Sequence, residues 1–273
     1  MFDRPIVAFD IECIPDPELG REVWGLSGTD LEVVQAMAER RLRETDGTNR
    51  YPALPWHRVV CVCATTFEPR TGQVRLSVLG GDEASERYAL AGFFDLFEGD
   101  GPGPRLVSWN GGGYDLPVLR YRGMRHGLSA PALYGGGGDR RAGGYLHRYQ
   151  DLRVDLMDVL CSHGTSTRAG LAATAEAMGL PGKGFLEGHV YEQWLGGERE
   201  RVLSYCKLDT LLTFLVFLSW THHTGALAAQ GFARIMASVR WAIEGERDAG
   251  WLEVQKALTG WPGWLPKNVD PEG

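Results

Sequence analysis

Ile6-Val7-Ala8-Phe9-Asp10-Ile11-Glu12 is apolar, partly β-branched and bracketed by Pro5 and Pro15, so it reads as a strand. Ile6 to Phe9 offers apolar side chains to both faces, which suits a strand in the middle of a sheet. Two carboxylates follow, Asp10 and Glu12. Strand side chains repeat every second residue, so both acids point the same way. Two anions at the end of a buried strand are costly unless a positive charge joins them. A divalent cation with oxygen ligands is the obvious candidate. The competing reading is a D-x-E that merely ends a strand in water, and the choice turns on finding further carboxylates in suitable places.

A chain of 273 residues can bury a full core as one large or two small domains. Its composition is that of an ordinary globular protein. No apolar run is expected to reach transmembrane length, and the first residues are too short and too acidic for a secretory leader. Five scattered cysteines, Cys13, Cys61, Cys63, Cys161 and Cys206, suggest free thiols in a reducing cytosol. Cys61-x-Cys63 lies in a strand-like segment with no second Cys or His pair at zinc-site spacing, so both are read as packing residues. A net charge of −7 argues against indiscriminate binding to polyanions. It leaves nucleic acid open, since local arginines and metals can overcome an average.

Further strands are expected at Val59–Phe67, Gln73–Leu79, Leu106–Trp109 and Leu152–Val154, the first two joined by the turn Glu68-Pro69-Arg70-Thr71-Gly72. Before them, residues 15–54 look like an insertion carrying a helix capped by Asp30. Glu83–Glu98 has helical periodicity, with Tyr88, Leu90 and Phe94 on its apolar face. Asn110-Gly111-Gly112-Gly113 precedes a helix containing Pro117, and Asp155 is read as the cap of the next. Residues 135–144 form a glycine-rich loop, too irregular to cradle phosphate. Helices follow over Gly170–Met178, His189–Leu195, Glu198–Trp220 and Ala226–Glu244, then a tryptophan- and proline-rich tail. The order β-β-β-α-β-α-β-α predicts an α/β fold with a mixed five-stranded sheet and flanking helices. Residues 1–222 would form the main domain, and 223–273 a C-terminal helical extension and tail.

Other acids stand out by context. Asp115 sits between the glycine turn and Pro117, at a helix N-terminus where the macrodipole favours a carboxylate; a plain helix cap is the alternative. Tyr205 and Asp209 lie four apart on the long helix and share a face. That helix is heavily apolar, with Val202, Leu203, Leu208, Leu211 and Phe214 around them. Asp209 therefore either interrupts a buried surface or marks an exposed stripe.

Taken together, these segments resemble one family. Asp10-Ile11-Glu12 is similar to its D-x-E motif, Asn110-Gly111 through Tyr114-Asp115-Leu116-Pro117 to N-G-x-x-[FY]-D-x-P, and Tyr205 through Asp209 to Y-x-x-x-D. These are the marks of DEDD exonucleases of the tyrosine subtype, in the ribonuclease H-like superfamily. The group it resembles is the predicted 3′–5′ exonucleases related to the proofreading domain of family B polymerases. The likeness covers roughly residues 5–220, and leaves aside the glycine-rich loop and the helices after Thr224.

That resemblance implies phosphodiester hydrolysis at a 3′ end with two divalent cations, Mg²⁺ or Mn²⁺, about 3.5–4 Å apart. Asp10, Glu12, Asp115 and Asp209 would be the ligands, with Asp10 bridging, Glu12 and Asp209 on the water-activating ion and Asp115 on the other. Tyr205 would orient the attacking water. It is a poor base, because a free phenol titrates near ~10. Cys13, Ile14, Trp109, Asn110 and Lys183 could line the substrate pocket, and each also has a core or loop reading. Trp56 and His57 could stack a base, though Trp56 suits the core. Arg120, Arg122 and Arg125 could meet phosphates or form a solvated face.

The implied partner is single-stranded nucleic acid, DNA in preference, with no membrane and with a polymerase or repair partner in trans left open. RNA is the alternative substrate, distinguished by its 2′-OH. A non-catalytic binding module with a nuclease-like fold is the alternative of another class. Gly182-Lys183-Gly184 is no P-loop, since no Ser or Thr follows the lysine.

Overall fold

The computed structural model describes residues 2–79, 85–99, 103–135, 145, 152–180, 190–246 and 249–259. Its strands are β1 (Ile6–Pro15), β2 (His57–Glu68), β3 (Gln73–Leu79), β4 (Arg105–Ser108) and β5 (Arg153–Asp155). They form one five-stranded sheet in the order β3-β2-β1-β4-β5. β2 runs antiparallel to β1 and β3, while β4 runs parallel to β1 and β5 parallel to β4. The sheet is mixed, flanked by helices and ribonuclease H-like, as expected.

β1 is central and apolar on both faces for the predicted reason. Val7, Phe9 and Ile11 pack into one apolar cluster, and Ile6 and Ala8 into another. By the same alternation Asp10 and Glu12 belong to the face of Ile6 and Ala8. The register between β1 and β2 shifts between Glu12 and Cys13, a bulge of the kind that re-aims side chains at the end of a strand.

In chain order the helices are α1 (Pro17–Trp24), α2 (Asp30–Glu44), α3 (Glu86–Asp95), α4 (Asp115–Arg125), α5 (Pro131–Tyr134), α6 (Leu156–Leu160), α7 (Leu171–Ala177), α8 (Val190–Leu195), α9 (Arg199–His223), α10 (Ala229–Glu244) and α11 (Ala249–Thr259). α3 and α4 cover one face of the sheet through Leu90, Phe93, Val118 and Leu119. Tyr88, expected on the apolar face of α3, is exposed instead. α9 covers the other face. Contrary to expectation, it is long and apolar enough to cross a membrane by length and composition alone. Most of that stretch is buried against β1, β2 and neighbouring helices, as suits the core helix of a globular protein.

The C-terminal helices share this core. Ile235, Met236 and Val239 of α10 join the α9 cluster, as do Trp251, Val254 and Leu258 of α11. Ser238 Oγ accepts a 2.8 Å hydrogen bond from the Val74 N–H on β3. The stretch read as a tryptophan- and proline-rich tail thus begins with a helix, α11, whose apolar residues at 251, 254 and 258 recur with helical spacing.

Three local expectations are corrected. Thr29, not Asp30, caps α2: its Oγ1 accepts from Glu32 N, and the Glu32 carboxylate accepts from Thr29 N, a capping box. Trp56 does not enter the core. It stacks on Trp24 with ring centroids 4.1 Å apart, and Arg40 lies over Trp24. Arg122 neither meets solvent nor points to a phosphate site. It is 2% exposed, forks onto Glu86 at 2.5 and 2.6 Å and pairs with Asp16 at 2.8 Å. Glu86 also accepts from Val59 N and bonds His126, while Asp16 caps α1. This network ties the inserted α1 to α3, α4 and β2. Arg120 lies over the Tyr134 ring, and Arg125 pairs with Glu22 at the surface.

Removing one partner from a buried ion pair strands the others without compensation. Arg122→Ala is expected to destabilise the fold by roughly 3–5 kcal/mol, whereas the exposed Arg125→Ala costs less than about 1 kcal/mol. Urea unfolding of the two variants measures the difference, and equal midpoints would refute it.

Candidate active site

β4 pairs with β1 only from Ile6 to Ala8. Beyond that point the β4 side of β1 is open, and its donors need other partners. The Ile11 N–H, between the two acids of β1, donates to Asp115 Oδ1 at 3.3 Å. Asp115 opens α4, just after a tight turn in which Asn110 O accepts from Gly113 N and Tyr114 N. Asn110 adopts a left-handed φ of 62°. A Cβ on Gly111 would lie 2.6 Å from Ser108 Cβ, so the turn can sit on the end of β4 only with glycine there.

That turn is held by a residue with another expected role. Asp155, at the end of β5, accepts from Asn110 N at 2.9 Å and Gly112 N at 3.0 Å. It is expected to cap α6, but makes no side-chain cap bond there. Short polar side chains can serve either purpose, and only the neighbouring strand decides.

α9 brings the remaining members. It packs on β1 and β2, and Cys206 Sγ donates to the Asp10 carbonyl at 3.4 Å. Tyr205, half-buried, precedes this contact, and Asp209, 7% exposed, follows one turn later. Donor atoms of Asp10, Glu12 and Cys206 lie within 4.8 Å of one another. Burial pushes the Asp115 carboxyl up to about 7, and the charges of Asp155 and Asp209 add to the rise. The backbone hydrogen bonds to Asp115, including that from Ile11, act the other way. Asp115 is thus bonded beside the two acids of β1, and Asp209 is near enough for its charge to act on Asp115. The carboxylate oxygens of these residues are the donors a hard divalent cation takes, with the Cys206 sulfur within the same reach of Asp10 and Glu12.

Beside the acids lies a cleft of about 480 Å³ lined by Glu12, Cys13, Asn49, Tyr51, His57, Tyr114 and Tyr191 among others. Cys13 is among the residues lining this cleft. Ile14 is fully buried against Val34 and Tyr191 and has no surface to offer a ligand. Trp109 is half-buried against the α9 cluster. Asn110 borders a smaller cleft of about 190 Å³ with Arg153 and Arg168. Lys183 lies outside the described residues, as do residues 136–144 of the glycine-rich loop. His57 cannot stack a base, being 2% exposed. Its Nε2 is 2.9 Å from the Pro52 carbonyl and its Nδ1 is 3.0 Å from Tyr114 Oη. A carbonyl only accepts, so Nε2 carries the proton and Nδ1 accepts from the tyrosine. Burial lowers the His57 pKa, which keeps it neutral. Tyr51 and Tyr191 were missed in the sequence, since aromatics in an insertion and in a short helix give no local sign of sharing one wall.

A family profile described as a predicted 3′–5′ exonuclease related to the exonuclease domain of PolB matches residues 49–258, well over half of the chain. The chain belongs to that family. The matched span takes in Asp115, Tyr205 and Asp209, begins after Asp10 and Glu12, and runs through α10 into α11. Family membership implies a nucleic-acid substrate and, in general terms, metal dependence. Among solved structures the chain is similar to the family B DNA polymerase of the hyperthermophilic archaeon Pyrobaculum calidifontis. The TM-score is 0.51 at 20% identity, over 94% of this chain, which spans 27% of the polymerase chain. At that identity the likeness speaks for the fold. No curated protein matches.

A carboxyl whose pKa rises from 3.8 to about 7 on folding binds its proton more tightly in the native state. Its contribution to stability is complete below the unfolded value and is lost as pH rises to about 7. Asp115→Asn is therefore expected to raise the melting temperature of the metal-free protein more at pH 8 than at pH 5, by roughly 2–4 °C per kcal/mol relieved. Mn²⁺ is expected to stabilise the parent protein most at pH 8, and Asp115→Asn much less. Equal shifts at both pH values would sink this account.

Proposed function

We propose that this protein is a metal-dependent 3′–5′ exonuclease on single-stranded DNA, releasing nucleoside 5′-monophosphates. The observation that carries the proposal is that Asp10 and Glu12 stand together on β1 and that Asp115 is bonded to the Ile11 N–H between them and feels the charge of Asp209, with Tyr205 one turn from Asp209 and a cleft alongside. Asp10, Glu12, Asp115 and Asp209 would hold Mg²⁺ or Mn²⁺. When bound, such ions supply positive charge to the phosphate and to its attacking and leaving oxygens.

The chain's own groups do the rest. Without cations the acids repel a phosphodiester, so substrate binding and metal loading are coupled. The Tyr205 hydroxyl orients the attacking water by hydrogen bonding, a positioning role that needs no ionised phenol. The cleft has the size of a small-molecule site and takes the 3′-terminal nucleotide. Tyr51, exposed at the cleft, offers an aromatic face, which holds a base without reading sequence. The His57–Tyr114 pair keeps the cleft floor neutral beside the acids.

The test uses 5′-labelled single-stranded DNA and RNA with Mg²⁺ or Mn²⁺. A ladder shortening from the 3′ end is expected, faster on DNA. Asp10→Asn and Asp209→Ala are expected to be inactive, and Tyr205→Phe slowed by up to about 100-fold, the cost of a misplaced reactant. Internal cuts, or an active Asp209→Ala, would overturn the assignment; faster RNA cleavage would move the substrate. Tyr51→Ala is expected to raise KM by the equivalent of about 1–3 kcal/mol of stacking with kcat nearly unchanged. A fall in kcat alone would remove Tyr51 from substrate binding.

A further inference from the structure

The sequence places no partner near Cys61-x-Cys63, but the fold does. Register sets Cys63 opposite Asp10 and Cys61 opposite Glu12. Cross-strand partners share a face, so both thiols stand beside the acids, under α9. There Cys206 meets them, and the three Sγ atoms lie within 4.8 Å of one another. All three residues are almost wholly buried. Cys206 Sγ is also within 4.8 Å of carboxylate oxygens of Asp10 and Glu12. Three sulfurs and two carboxylates thus form one continuous donor set, reached from outside through the half-buried acids.

We propose that Cys61, Cys63 and Cys206 form a second metal site, selective for a thiophilic d¹⁰ cation of the Zn²⁺ class and adjoining the carboxylate site. Zn²⁺ takes four ligands from Cys, His and carboxylate groups. The trio supplies three, and Asp10 or Glu12 stands next to Cys206 as the fourth. Hard cations select carboxylate oxygen and thiophilic ones select thiolate, so the two halves of the set prefer different metals. Binding releases one proton to solvent from each thiol that coordinates. Where the exonuclease reading holds, on which this consequence rests, Zn²⁺ on the thiols draws an acid from the catalytic set and slows cleavage. The competing account is that the thiols are small apolar core groups, packed with Val202 and Leu203.

The test adds Cd²⁺ and Zn²⁺ to the full chain in the presence of excess Mg²⁺. One equivalent is expected to bind by native mass spectrometry, and Cd²⁺ to give a thiolate-to-metal charge-transfer band. Asp10→Asn, Cys13→Ser and Cys161→Ser keep the band, and Cys63→Ala loses it. Losing a group that only orients a ligand costs roughly 10–100-fold in affinity, and losing a sulfur costs at least that. No band in the parent protein, or displacement of Cd²⁺ by Mg²⁺, would overturn the proposal whether or not the variants fold. One equivalent of Zn²⁺ is expected to slow Mn²⁺-dependent cleavage by the parent chain, and to leave Cys63→Ala at its own zinc-free rate. A parent chain inert with Mn²⁺ would count against the exonuclease reading alone, since the band still decides the site.

Discussion

Carboxylates crowded at a buried strand end are the constraint that shapes this molecule. Like charges at short range in a low dielectric repel strongly, and burial alone penalises each ionised form. The fold meets that cost with backbone donors. The Ile11 N–H reaches Asp115, and the Asn110 and Gly112 N–H groups reach Asp155. These bonds hold the acids in place but do not neutralise them, and Asp115 keeps a strongly raised pKa. The remaining imbalance is what a cation answers.

The scaffold around this point is rigid for ordinary reasons. β1 is buried on both faces and flanked by β2 and β4. α9 lies across it as the main core helix, and α10 and α11 extend the same apolar cluster. On the opposite side the Arg122 network locks the inserted α1 to the helices α3 and α4. That insertion, with the segment after it, supplies Asn49 and Tyr51 to the cleft. A buried charge network and a substrate-facing wall thus depend on the same inserted stretch.

Much of this was legible in the sequence because it rests on short-range periodicity. The two-residue repeat of β1 put Asp10 and Glu12 on one face, and the four-residue step of α9 paired Tyr205 with Asp209. What escaped depends on contacts between distant segments. Arg122 reads as one of several basic residues on a helix until Asp16 and Glu86 are brought to it. Asp155 has the residue type of a helix cap, and only the adjacent glycine turn redirects it. Trp56 has the bulk of a core residue, but Trp24 meets it at the surface. The thiol trio needs both the β1–β2 register and the placement of α9, neither of which follows from spacing along the chain.

The brevity of β4 has a consequence for how this sheet can vary. A strand two or three residues longer would add ladder bonds along β1 and make a more regular sheet. It would also engage the Ile11 amide and drive the Asn110–Tyr114 turn outward, carrying Asp115 away from the other acids. Sheet regularity and assembly of the acidic cluster therefore compete for one backbone N–H, and a truncated neighbour is the geometric condition for the cluster to exist.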